Sequence, residues 1–163
     1  MDAGGFDLDQ FLPYRLNRAA EFIALRFAAH YKAEYGLTRP EWRALAALGS
    51  AGRMTATEIG HHSSMHKTKV SRAVFALETR RWLKRTQDTA DRRIEHLQLT
   101  PTGERAYADL TQLARSYQHE LAMTLGAQGF RALSDGLRAV EDAMAAPAKR
   151  RPTRRSGRED APD

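Results

Sequence analysis

Apolar positions recur along most of this chain at steps of three and four residues, the spacing of helices that bury one face. From Pro13, the residues Leu16, Ala20, Ile23, Phe27 and Tyr31 line one side of a predicted helix. It should end near Tyr35-Gly36, where glycine can take the left-handed cap conformation. Thr38-Arg39-Pro40-Glu41 is a capping-box sequence with an early proline, and Trp42, Leu45, Ala46 and Leu48 follow it, so a second helix runs to Gly49. Thr55-Ala56-Thr57-Glu58 repeats the capping-box pattern and opens a short helix reaching His61-His62. Ser63 and Ser64 interrupt it and are placed to cap a third segment, striped with Val70, Ala73, Val74 and Leu77 as far as Trp82.

The period then changes. Lys84 to Gln87 and Ile94 to Leu99 predict two strands around Asp88-Thr89-Ala90-Asp91-Arg92, with Leu97 and Leu99 inward and His96 and Gln98 outward. Thr100-Pro101 caps a further helix, with Tyr107, Leu110, Leu113, Tyr117 and Leu121 on one side until Leu125-Gly126. Phe130, Leu133, Leu137, Val140 and Met144 mark a last one. The apolar faces of these two helices and the first exceed what a short helical hairpin covers, so a helical dimer interface is expected, with an ordinary intrachain core as the alternative.

Two short helices joined by a tight polar turn, then a hairpin, make a winged helix-turn-helix. The expected fold class is mainly α with a small β hairpin: an α+β winged helix plus a helical dimerisation region. Residues 1–10 read as a flexible arm, 11–52 as N-terminal dimerisation and scaffold helices, and 53–100 as the DNA-binding lobe. Residues 101–146 read as C-terminal dimerisation helices, and 147–163 as a disordered basic tail.

Composition narrows the chemistry. The 163 residues include no cysteine, which excludes disulfides, thiol catalysis and thiolate-bound zinc or iron–sulfur clusters. No run of about 18 apolar residues and no basic-then-apolar leader is present, so no membrane partner is expected and a cytoplasmic setting is. Net charge is +6, unevenly spread. Residues 53–100 carry ten basic and five acidic side chains and the tail six and three, while everything else sums to −2. A basic segment in a slightly acidic body suits a phosphate backbone, which supplies sequence-independent affinity; a solvated basic face is the bland alternative.

If the helix opening Met65-His66-Lys67 turns Val70, Ala73 and Val74 inward, Lys67, Thr68, Ser71 and Arg72 face a DNA groove, with His66 and Lys69 at the flanks. Lys84, Arg85 and Arg92 extend the basic surface along the hairpin. Asp91 and Arg93 can pair across the bend as wing-structuring residues, leaving Arg92 at the tip for a narrow minor groove.

On these residues the chain resembles the MarR family of bacterial transcriptional regulators, over roughly Phe11 to Met144. The carrying segments are Gly36-Leu37-Thr38 through Glu41-Trp42; Lys67 to Val74 with Leu77-Glu78; and Asp91-Arg92-Arg93-Ile94 followed by Leu99-Thr100-Pro101-Thr102-Gly103. The last resembles the family's wing signature. Arg80-Arg81-Trp82 departs from the pattern, because relatives usually carry a glycine before the wing. The resemblance implies a homodimer bound to a double-stranded, pseudo-palindromic DNA operator, most often a repressor released by a small aromatic ligand. Leu12-Pro13-Tyr14-Arg15-Leu16-Asn17 looks like the subset controlling aromatic or heteroaromatic acid catabolism, including nicotinate-pathway repressors.

The effector expected is therefore a small aromatic or heteroaromatic acid. Arg15 falls about 100 degrees from the buried stripe of its helix and can meet a carboxylate, while Trp42 and Tyr107 supply ring contacts and His61 or His62 a pocket role. An intersubunit salt bridge is the bland reading of Arg15. No cofactor and no metal site are expected, since the histidines lack an H-E-x-x-H partner and Ser63-Ser64 separate His62 from His66. The competing classes are an effector-independent DNA-binding activator or architectural protein, and a small hydrolase using the histidines. No G-x-S-x-G, Walker loop or G-x-G-x-x-G supports the latter.

Overall fold

The computed structural model describes residues 6–145. In chain order they form α1 (Leu12–Tyr35), α2 (Arg39–Ala51), β1 (Arg53–Met54), α3 (Ala56–Ser63), α4 (Lys67–Thr79), β2 (Leu83–Gln87), β3 (Glu95–Leu99) and α5 (Pro101–Ala145). The chain divides into two compact units, one reaching His119 and the other beginning at Glu120. The fold is mostly helical with a small antiparallel sheet, as the periodicity predicts. The expected disordered tail lies outside the described residues. Residues 6–10, expected to be loose, hold a turn in which Gln10 N–H donates to the Asp7 carbonyl at 3.1 Å.

Both predicted capping boxes form. The Thr38 hydroxyl accepts from Glu41 N–H and Glu41 reaches back to Thr38 N–H; Thr55 and Glu58 do the same at the start of α3. The serines do not cap α4. Ser64 takes a left-handed conformation (φ 49°) that ends α3, and the Ser63 hydroxyl turns back to the Ile59 carbonyl. The α4 cap is His66, whose Nδ1 accepts from Thr68 N–H at 3.4 Å, so the cap sits two residues beyond the serines and the helix starts at Lys67.

One strand was not expected. β1 pairs with β3 through Arg53 opposite Gln98 and Met54 opposite Leu97, giving strand order β1-β3-β2. The hairpin register sets Leu83 opposite Leu99 and Arg85 opposite Leu97. Leu83, Leu97 and Leu99 then turn into one core with Leu45 and Leu48 of α2, Ile59 of α3, Val70, Val74 and Leu77 of α4, and Leu110 of α5. Each such side chain contributes about 1.5–3 kcal/mol through burial, which fixes α4 against the sheet and turns its other face outward.

The α4–β2 turn carries the departure at Arg80-Arg81. Arg81 has φ 60°, the left-handed conformation that glycine supplies at low cost, so the turn keeps its shape with a strained residue in it. Arg80 donates to the carbonyls of Tyr35 at 2.9 Å and Gly36 at 3.0 Å, where α1 ends, and its guanidinium lies 5.4 Å from the Trp82 ring centre. Next to it Gly103 packs directly on the Trp82 backbone. Within the second unit Gly126 is non-helical (φ 69°, ψ 162°), the break expected at Leu125-Gly126.

Candidate nucleic-acid interface

Two surfaces of the first unit collect the predicted contacts. On α4, Lys67, Thr68, Lys69, Ser71 and Arg72 are all exposed, while Val70, Ala73, Val74 and Leu77 are buried beneath them. Burial of that stripe is therefore what presents the polar face. On the hairpin, Lys84 is exposed on the outward face and Arg92 sits at the bend, exposed and with no carboxylate partner among the described residues.

The bend is built mainly by a residue the sequence reading left without a role. Asp88 accepts from the backbone N–H groups of Ala90 at 2.9 Å and Asp91 at 3.1 Å, and its second oxygen lies 2.9 Å from His96 Nε2. Those contacts, the Asp91 N–H first, then His96 and the Ala90 N–H, hold its carboxyl down to about 2. Asp91 plays its expected part by accepting from Arg93 N–H at 3.0 Å and Arg93 Nε at 3.3 Å. The Arg93 side chain is 92% exposed, so that ion pair orders the turn more than it stabilises the protein.

Arg85 departs from expectation. Its Nε lies 3.1 Å from Glu78 of α4 and its Nη1 3.1 Å from Glu95 of β3, so two carboxylates already neutralise it. Partial burial opposes its charge, but the bonds to Glu78 and Glu95 more than restore it. It ties α4 to the hairpin, with its charge already matched by two carboxylates.

Arg39 and Arg43 were overlooked. With Pro40, His66 and Lys69 they line a hollow of about 310 Å³ between the starts of α2 and α4. Arg39 is bound to Glu21 at 2.7 Å, which leaves Arg43 and Lys69 to meet an anion there. Basic residues four apart in the first turn of a capped helix were the available signal.

The predicted ligand residues do not form one site within a chain. The Tyr117 hydroxyl donates to the Ile23 carbonyl at 2.8 Å, fixing α1 beside α5, and Tyr35 and Gly103 both pack against Trp82. From the Ile23–Tyr117 contact Arg15 lies roughly 12 Å one way and Tyr107 roughly 15 Å the other, at 1.5 Å per residue. Trp42 is stacked on Tyr31 at 5.7 Å and edge-on to Phe27 at 5.3 Å, while Tyr107 covers Gly49. His61 and His62 are exposed on α3, and His61 lines a separate hollow of about 680 Å³ between α3 and α4. Among the described residues no group of three His, Asp or Glu is placed to hold a metal ion.

Residues 35–94, which run from the end of α1 through α4 to the wing bend, match the profile of the MarR family. Over that segment the chain is similar to the MarR family of transcriptional regulators. Among solved MarR structures it is similar to the family member SPO1453 of Silicibacter pomeroyi DSS-3, at 26% identity and a TM-score of 0.75 over 86% of this chain and 99% of that one. It shares the fold of BpsR of Bordetella bronchiseptica, whose DNA binding is regulated by 6-hydroxynicotinic acid, at 22% identity and a TM-score of 0.74 over 85% and 99% of the two chains. An uncharacterised HTH-type transcriptional regulator, YwoH of Bacillus subtilis (strain 168), is 27% identical over 114 residues, 70% of this chain and 82% of that protein. MarR proteins bind DNA as transcriptional regulators, so the hydrolase reading of the histidines falls. No helix among the described residues is long and apolar enough to cross a membrane.

Proposed function

We propose that this protein is a cytoplasmic, homodimeric repressor that leaves a pseudo-palindromic operator when it binds a small aromatic or heteroaromatic carboxylate. The observation that carries the DNA half is the α4 face: a buried stripe on one side and Lys67, Thr68, Lys69, Ser71 and Arg72 exposed on the other, with Arg92 exposed at the wing bend. Thr68, Ser71 and Arg72 enter the major groove, His66 and Lys67 flank them, Lys84 and the Arg43–Lys69 hollow take phosphates, and Arg92 takes the minor groove. The lobe corresponds to residues 53–100, and residues 11–52 and 101–146 form the dimerisation scaffold.

Dimerisation is supported by exposed apolar side chains in both units. Leu12, Phe22 and Leu25 stand 66%, 62% and 55% exposed on α1, and Met123 and Met144 72% and 79% on α5, more than a soluble monomer leaves uncovered on two helices. The effector reading draws on the half-buried rings of Trp42 and Tyr107 and on the control of BpsR, a protein of the same fold, by 6-hydroxynicotinic acid. Arg15 then meets the carboxylate from the second copy.

The test is a titration of the full-length protein on DNA from upstream of its own gene, with and without benzoate-like and pyridine carboxylates, alongside sedimentation. A dimer whose operator affinity falls with one of these acids is the expected result. Unchanged affinity across the series overturns the effector, and a monomer overturns the dimer.

A further inference from the structure

The recognition helix carries one large apolar side chain where none is needed for folding. Phe75 is 68% exposed, although its neighbours Val74 and Leu77 are at most 1% exposed. At 100 degrees per residue, Thr68, Ser71, Arg72 and Phe75 share about 100 degrees of arc directly opposite the stripe of Val70, Ala73, Val74 and Leu77. Their spacing of i, i+3, i+4 and i+7 is the one by which the recognition helix of a homeodomain reads the major groove. Lys67 and Lys69 lie on either side of that arc, so the face presents cations at its edges and a phenyl ring on its midline. That arrangement complements a groove, with phosphates along the rims and base edges on the floor. On that floor the apolar group is the 5-methyl of thymine.

We infer that Phe75 is a specificity-determining residue that packs against a thymine methyl in each half-site, one helical turn beyond the base contacted by Ser71 or Arg72. The inference rests on α4 lying in the major groove, as proposed above. It adds a readout that the hydrogen-bonding side chains do not supply, because a methyl offers neither donor nor acceptor. It also gives the exposed ring a reason to be tolerated: contact with water costs the free protein what burial in the complex returns.

The experiment uses full-length protein and a duplex it selects from a random-sequence pool. Each thymine of that duplex is replaced in turn by deoxyuridine, which removes the methyl alone. For the wild type, one symmetry-related thymine should lose about fourfold in affinity on replacement, the equivalent of exposing one buried methyl group. Phe75→Ala should bind the thymine duplex at least fourfold more weakly, melt like the wild type, and no longer distinguish thymine from deoxyuridine at that position. Arg72→Ala is measured in parallel. If Arg72→Ala loses affinity while Phe75→Ala binds like the wild type, the inference fails and the α4 reading stands. If neither variant loses affinity, both fail. If Phe75→Ala weakens binding equally on thymine and deoxyuridine duplexes, or weakens only association with another protein, the ring does not read a methyl.

Discussion

Placing a methyl on residue 103 tests whether the start of α5 is set against the base of the wing by direct backbone contact. A Cβ built there lies 2.0 Å from the Trp82 carbonyl oxygen, 2.9 Å from its carbon and 3.1 Å from its Cα. These are main-chain atoms, so no rotamer change relieves the clash. Carbon–oxygen contacts open to at least about 3.3 Å, and one element must shift by more than 1 Å, roughly. The same Trp82 carbonyl accepts from Thr100 N–H at 3.0 Å, and the Thr100 hydroxyl donates to the Arg81 carbonyl at 2.7 Å, so the shift strains both bonds. Overpacking costs about 1–3 kcal/mol and a weakened hydrogen bond about 1, while the helix preference of alanine over glycine returns up to about 1. Gly103→Ala should therefore lose about 1–3 kcal/mol and melt roughly 3–10 °C lower. Urea and thermal unfolding at one fixed protein concentration provide the measurement, since the proposed dimerisation would make the midpoint concentration-dependent. An unchanged or raised midpoint refutes the close contact and the rigid seating of α5 inferred from it.

Arg81→Gly should act in the opposite direction. It relieves a left-handed conformation costing about 1 kcal/mol and gives part of that back as unfolded-chain entropy, so a net gain of about 0.5 kcal/mol is expected in urea titrations, and a loss would show the residue is not strained. Asp88, held down to about 2 against an ordinary 3.8, contributes to wing order fully above the ordinary value and loses that contribution as pH falls through 2. An NMR titration of its carboxyl should find the midpoint near 2, and one near 3.8 would dismantle the bend described here. Arg92→Ala should weaken binding chiefly at operators with A·T-rich flanks, read by fluorescence anisotropy; an equal loss on G·C-rich flanks removes the minor-groove role.

The helices were legible because each buries one face, and the period of 3.6 together with two capping boxes marked Thr38 and Thr55 as starts. The hairpin was legible from the change of period and the Asp-rich bend. β1 was not, because Arg53-Met54 is two residues long and two residues carry no period; only pairing with β3 makes it a strand. Ser63 and Ser64 looked like caps because cap chemistry is local, whereas His66 takes that role only once Ser64 has turned the chain left-handed. The pairing of Arg85 with both Glu78 and Glu95 depends on hairpin register and on the approach of α4 to β2, so charge counting took a neutralised arginine for a free one. The spread of Arg15, Trp42 and Tyr107 was hidden for the same reason: a wheel gives direction around a helix and says nothing of distance along it.

Arg80 gives the first unit a mechanical linkage. One guanidinium is bonded to the carbonyls that end α1, lies 3.9 Å from Glu41 of α2, and rests on Trp82, the residue that leads into the wing. The end of α1 cannot be displaced without either breaking those charge-assisted bonds or carrying the root of β2 with it. Such coupling is reciprocal by thermodynamic necessity: whatever free energy a displacement of α1 takes from a ligand held at the β2–β3 hairpin, that ligand, when bound, must return as resistance to the displacement.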